Sequence, residues 1–178
     1  LIWNKGMIAD KAYKVRHIIW IYIYLFYGYL AVQEAAGIGT IWDLITYGKL
    51  DNSINLIPFS SEGAMTYILN IIMFMPLGFL LPLIWKNFRN AKKVVLMGFL
   101  MSLAIEICQL FNIRTTDIDD LMMNTLGTLV GYCCWKVFSL IFRNAGTKCV
   151  EMKKSEPVIY MFGGILGLFL LYNWRVFD

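Results

Sequence analysis

Long unbroken apolar runs, not alternating or narrow striped ones, dominate this chain. Five of them approach the roughly 20 residues a helix needs to cross the hydrocarbon core of a bilayer. They are Ile18–Ala36, Thr66–Trp85, Val94–Phe111, Leu121–Phe142 and Pro157–Trp174. The pattern predicts an all-α fold, an integral membrane bundle of about five transmembrane helices, forming a single membrane domain over residues 1–178. Basic residues precede the first run, as in a signal peptide. The run is aromatic-rich, however, and Gln33 and Glu34 stand where small residues would mark cleavage, so a retained helix is expected. The sequence begins at Leu1 and not at a methionine, and a natural N-terminus upstream is expected. Residues 37–65 form a long and unusually apolar connection. Its stretch from Gly37 to Tyr47 is too short to span and is expected to lie along the interface or dip into the protein, the alternative being an ordinary ordered loop.

Orientation follows from the cations. Of the 16 lysines and arginines, 13 fall in three alternate segments: before the first run, after the second, and from the end of the fourth into the loop beyond. The remaining segments hold only Lys49, Arg114 and Arg175. Cytoplasmic loops collect basic residues, so the N-terminus is expected inside and the C-terminus outside.

Composition sharpens this picture. The chain is 59% hydrophobic and 16% charged, against about 45–50% and 25% in soluble domains. Its net charge of +4 is spread between the apolar runs and not gathered in one stripe, so no nucleic acid partner is expected. Cys108, Cys133, Cys134 and Cys149 lack metal-ligand spacing, and His17 is the lone histidine. Neither a disulfide framework, a metal nor a cofactor is expected.

Polar side chains inside a bilayer are costly, so they usually face the bundle interior and find partners. Here they concentrate at one depth near the outer face. Asn70 lies near the start of the second run, Glu106 and Gln109 near the end of the third, and Asn124 one turn into the fourth; Arg114, Asp117, Asp119 and Asp120 come from the short turn between the third and fourth. At 1.5 Å rise per residue these groups share a layer roughly 10 Å deep. Ser102, Glu106 and Gln109 are spaced to share one helix face, as are Asp117, Asp120, Asn124, Gly127 and Gly131, and likewise Asn70, Phe74 and Gly78. Gly127 and Gly131 would let a neighbouring helix come close. Asp117 suits the N-cap of the fourth helix, with Asp119 and Asp120 complementing its dipole. Arg114 can pair in bidentate fashion with one of the acids around it.

Several uses of this cluster stay open. The groups could simply satisfy one another and fix helix packing, or they could bind a ligand. They could also perform acid–base chemistry on a lipid-linked substrate, although no established catalytic motif accompanies them. Carboxylate oxygens suit calcium or magnesium, but no loop of ligand spacing defines a site. Elsewhere, Gly163, Gly164 and Gly167 read as a packing face of the fifth helix. Trp85, Trp135 and Trp174 read as interfacial anchors, and Pro76 and Pro82 as kinks in the second helix.

The same residues carry a family resemblance. Asn55-Leu56-Ile57-Pro58-Phe59 precedes Asn70, Phe74, Pro76 and Gly78; then come Ser102, Glu106 and Gln109; then Arg114-Thr115-Thr116-Asp117-Ile118-Asp119-Asp120 leads to Asn124, Gly127 and Gly131. This ordered set, over residues 50–135, resembles the VanZ-like family of bacterial membrane proteins. The resemblance implies a multi-pass protein of the bacterial cytoplasmic membrane associated with low-level resistance to teicoplanin and related glycopeptides, drugs that bind peptidoglycan precursors outside that membrane. It assigns signature roles to Asn55, Pro58, Asn70, Phe74, Pro76, Gly78, Glu106, Gln109, Arg114, Asp117, Asp120, Asn124 and Gly127. The partners it implies are membrane lipids and either a lipid-linked cell-wall precursor or a glycopeptide. A non-enzymatic envelope protein is the preferred expectation. A transporter would require an oligomer, since five spans without an internal repeat are few for alternating access.

Overall fold

The structure, a computed structural model, describes residues 11–36, 54–59, 63–109, 116–142 and 155–173. Those residues form five α-helices: α1 (Lys11–Ala36), α2 (Ala64–Ile84), α3 (Ala91–Gln109), α4 (Ile118–Ile141) and α5 (Glu156–Tyr172). Each carries one of the apolar runs, and α1 also takes the basic lead-in through Arg16 into its first turns. A short 3₁₀ turn, Lys86–Phe88, joins α2 to α3. The long apolar connection beginning at Gly37 lies mostly outside the described residues.

One feature of the backbone has no counterpart in the sequence pattern. Strand β1 (Ile54–Asn55) pairs in parallel with β2 (Thr116–Asp117), setting Asn55 opposite Asp117. Two residues per strand is too short for any periodicity to register.

Helices α2 and α4 form the centre, and small residues bring them together. A Cβ added at Gly78 would land on the carbonyl of Thr128; at Gly127 or Gly131 it would land on the carbonyl of Ile71 or Met75. Backbone therefore meets backbone, which only glycine permits. Helix α3 closes on α4 across Gly98, where a Cβ would strike the Thr128 side chain. Around this seam Phe74, Leu77, Leu81, Val94, Met101 and Ile105 are buried. Helix α2 runs unbroken through Pro76 and Pro82, so neither proline ends it.

The outward faces are apolar as well. Ile19, Tyr22, Ile23 and Phe26 on α1, and Met65, Ile68, Leu69 and Ile72 on α2, are exposed. A helix apolar on both its packed and its outward face suits a hydrocarbon surrounding, not water. Two segments, Val15–Gln33 and Ala64–Ile84, are long and apolar enough to cross a membrane, and Glu156–Tyr172 is a shorter apolar helix.

Two expectations for the aromatic and small residues are corrected. Trp85 and Trp135 are buried, at 2% and 7% exposure, so they are not interfacial anchors. The Trp85 indole N–H reaches a carboxylate inside the bundle, and the Trp135 ring lies 5.9 Å beneath the Arg89 guanidinium. Trp174 lies outside the described residues. Gly163, Gly164 and Gly167 are not a close-packed face, because among the described residues no atom stands within 4 Å of a Cβ built on any of them.

Candidate functional site

The start of α4 organises the polar end of the bundle. Asp117 is its N-cap, with extended backbone (φ −120, ψ 132), and its Oδ1 accepts the Asp119 N–H at 3.0 Å. Its second oxygen accepts from Asn55 Nδ2 at 3.1 Å, across the strand pair. Asn55 Oδ1 in turn accepts the Ile57 N–H at 3.1 Å, a local side-chain turn that shapes the segment leading to Pro58.

Asp119 is the hub. It is fully buried, at 0% exposure. Both its oxygens accept the Phe59 N–H at 2.9 Å, and Oδ2 also accepts the Tyr67 hydroxyl at 2.9 Å. Phe59 has a φ of 60, the left-handed region, which costs a side-chain-bearing residue roughly 1–2 kcal/mol. The hydrogen bond to Asp119, worth about 0.5–1.5 kcal/mol, offsets much of that strain. The Phe59 ring stands edge-on to Tyr67, 5.8 Å between centroids at 90°. The result is a fixed turn that presents Leu56, Ile57, Pro58 and Phe59 outward, all exposed, against a buried carboxylate.

Deeper in the bundle, Asp120 accepts from Asn70 Nδ2, joining α4 to α2. Asn124 Nδ2 donates to Ser102 Oγ at 3.0 Å, joining α4 to α3, while its Oδ1 is buried and takes no hydrogen bond from the described residues. Glu106 and Gln109 share the buried face of α3 with Ser102. Phe74 is fully buried in the adjacent core. Asn55, Asp117 and Asp119 thus form one hydrogen-bonded group, and Asn70–Asp120 and Asn124–Ser102 are two further pairs made by the first turns of α4. Arg114 lies outside the described residues. Among those residues no group of three or more His, Cys, Asp or Glu side chains is placed to hold a metal ion.

Two contributors escaped the sequence reading: the Tyr67 hydroxyl and the Phe59 backbone N–H. The first has only its position, three residues before Asn70, to suggest it; the second is invisible to side-chain chemistry.

A second polar cluster, also unforeseen, closes the opposite end. Glu156, at the start of α5, is 7% exposed. Its Oε2 accepts the Trp85 indole N–H at 2.9 Å and lies 3.5 Å from His17 Nε2. Its Oε1 accepts the Tyr160 hydroxyl at 3.3 Å. Burial works against the charged form of Glu156, but the neighbouring His17 imidazole and the Trp85 N–H outweigh it and hold the carboxyl below its ordinary range. Rings complete the cluster, with His17 and Tyr24 both edge-on to Trp85.

Comparison with known proteins places the chain in a family. The VanZ/LLP1 family model matches residues 18–141. The chain is 34% identical over 134 residues to Protein VanZ of Enterococcus faecium, covering 74% of this chain and 77% of that one. No solved structure matches. The matched stretch takes in most of α1 and the whole polar layer, whereas His17 lies immediately before its start and Glu156 lies well past its end, at the start of α5.

Proposed function

The chain belongs to the VanZ/LLP1 family, and from that membership we propose that it is a multi-pass protein of the bacterial cytoplasmic membrane that supports low-level tolerance to teicoplanin and related glycopeptides. All five helices cross the bilayer, with the N-terminus inside and the C-terminus outside, an orientation that rests on the distribution of lysine and arginine. The polar layer around Asp119 then faces the outer surface, where peptidoglycan precursors and glycopeptides meet. Its polar groups recognise the polar part of an envelope molecule, either a lipid-linked precursor or the drug itself, without chemical turnover.

One observation carries this reading. Glu106, Gln109, Asp119 and Asn124 are all buried at one end of helices whose outward faces are apolar, and the Asn124 amide oxygen has no hydrogen bond from the described residues. Buried polar groups are expensive to keep, and a functional role is the default reading of such a group inside a membrane.

The test is expression in a glycopeptide-susceptible host. Tolerance to teicoplanin rises with the natural chain, and Glu106→Gln, Asn124→Leu and Arg114→Ala abolish the rise at unchanged protein level. Full tolerance in all three well-expressed variants would remove the layer from the mechanism.

A further inference from the structure

Helices α3 and α4 meet in one antiparallel register. Gly98 packs against Thr128, and one turn further along α3 Ser102 accepts the Asn124 amide at 3.0 Å. Each step moves four residues up α3 and four back along α4, so the next turn sets Glu106 against Asp120. Glu106 is buried, at 5% exposure. Asp120 is half-buried, and its Oδ1 takes the Asn70 amide. Asn124 lies one turn beneath this pair of carboxylates. It is 2% exposed, and its Oδ1 accepts no hydrogen bond from the described residues. With its Nδ2 committed to Ser102 in the α3–α4 seam, that oxygen is left under the two acids. A buried acceptor without a donor is costly to keep.

The charges of the whole chain point the same way. Of the 12 aspartates and glutamates, only Asp10, Glu151 and Glu156 fall in the segments assigned to the inside. The other nine fall in the spans' outer ends and the outer segments, against three cations, Lys49, Arg114 and Arg175. Lysine and arginine set the orientation of a membrane protein, whereas aspartate and glutamate contribute little to it. The gathering of acids at one end is therefore not a by-product of topology. It draws cations to that end and repels phosphates and carboxylates.

We propose that Glu106, Asp120 and Asn124 seat a primary ammonium group of the envelope molecule, which donates to the two carboxylates and to the Asn124 Oδ1. The inference rests on the functional reading above and names the part of the ligand that is read. A primary ammonium is a compact charge with three donors and no acceptor, and the seat offers oxygen from three side chains. A quaternary ammonium has the charge but no N–H, so it would leave the Asn124 oxygen unsatisfied. A metal ion fits less well, because among the described residues no third acidic, histidine or cysteine side chain joins the pair. A lysine in a precursor's peptide, the drug, or an ethanolamine headgroup can each supply the amine.

The experiment uses the full protein in nanodiscs of phosphatidylcholine, whose quaternary headgroup has no N–H to donate. Phosphatidylethanolamine, a lipid-linked precursor with a free lysine amine, and teicoplanin with its free amine are added separately. Each is compared with its N-acetylated form, and retention on the protein is read by native mass spectrometry. At least one free amine is expected to be retained about tenfold better than its acetylated form, and which one does so identifies the source. The near-isosteric Glu106→Gln, checked for an unchanged thermal midpoint, should bring that ratio close to unity. Asn124→Asp adds a third carboxylate to the seat and should raise the ratio severalfold, which a merely structural Asn124 would not do. Equal retention of the free and acetylated forms of all three probes would overturn the proposal, as would a ratio unmoved by both variants. An amine preference that Glu106→Gln removes while teicoplanin tolerance survives would keep the seat and overturn the tolerance reading instead.

Discussion

The two ends of this bundle bury a carboxylate by different means. At one end Asp119 is satisfied by a backbone N–H and a hydroxyl from the Phe59–Tyr67 region, and its neighbours Asp117 and Asp120 each take an asparagine from another segment. At the other end Glu156 is held by an indole at the C-cap of α2, a phenol from α5 and an imidazole from α1. The first arrangement fixes a loop and leaves an apolar turn displayed. The second ties the ends of three helices and displays nothing. A buried acid that organises an exposed segment points to recognition, whereas one that joins helix ends points to closure of the bundle. The family match encloses the first and stops short of the His17 and Glu156 members of the second.

Substitutions can break this contrast. The largest effect is expected from Asp119→Ala, which strands the Phe59 N–H and the Tyr67 hydroxyl and removes the bond that holds a left-handed Phe59. A loss of about 3 kcal/mol or more follows from the unsatisfied groups alone, read as a fall in the thermal midpoint in detergent. Proteolytic nicking around residues 56–59 should rise in parallel. A midpoint within a degree of the natural chain would show that Asp119 is not the hub. Next comes Gly131→Leu, which drives a side chain into the Met75 backbone. Overpacking of this kind costs about 1–3 kcal/mol, and unchanged stability would contradict the close α2–α4 seam.

The Glu156 end should respond more weakly. Trp85→Phe deletes one hydrogen bond to Glu156 and leaves a small cavity beside it, a cost of about 1–2 kcal/mol, and it should leave teicoplanin tolerance unaltered. Lost tolerance at full expression would erase the division between a recognising end and a closing end. The smallest effect is a pH dependence. The Glu156 carboxyl lies just ahead of the fifth apolar run and is held below its ordinary value of 4.5. Its stabilising contribution is therefore complete above that value and is lost as pH falls through the lowered one. Spin-label distances between the starts of α1 and α5 should widen as pH drops below about 4.5, the ordinary value, and Glu156→Gln should remove the change. A distance flat with pH in the natural chain would mean that the carboxylate does not hold the two helices.

Much of this architecture was legible in the residues. The apolar runs foretold the five helices, because a run approaching 20 apolar residues has few other ways to satisfy its backbone. Asp117 was readable as an N-cap from its place before the fourth run, and the spacing of Ser102, Glu106 and Gln109 foretold their shared buried face. Asp119 was readable only as part of a helix start. That it receives a backbone N–H from a turn 60 residues earlier depends on the parallel strand pair, which no periodicity announces. Trp85 misled for a related reason. A tryptophan at the end of an apolar run resembles a headgroup anchor until its partner, 71 residues away, is known. The glycines of α4 and α5 have similar spacing and opposite meanings. Gly127 and Gly131 meet a backbone, while Gly163, Gly164 and Gly167 face open space, and only the neighbouring helix decides which.

The orientation of the polar layer decides whether Asp119 and its neighbours can meet an envelope ligand at all. Single cysteines at Ile57, on the exposed turn, and at Lys92, on the opposite turn, would be introduced into a chain lacking its natural cysteines and exposed to a membrane-impermeant thiol reagent. Ile57→Cys should label in intact cells and Lys92→Cys only after permeabilisation. Labelling in the reverse order would put the layer in the cytoplasm and contradict the proposed role.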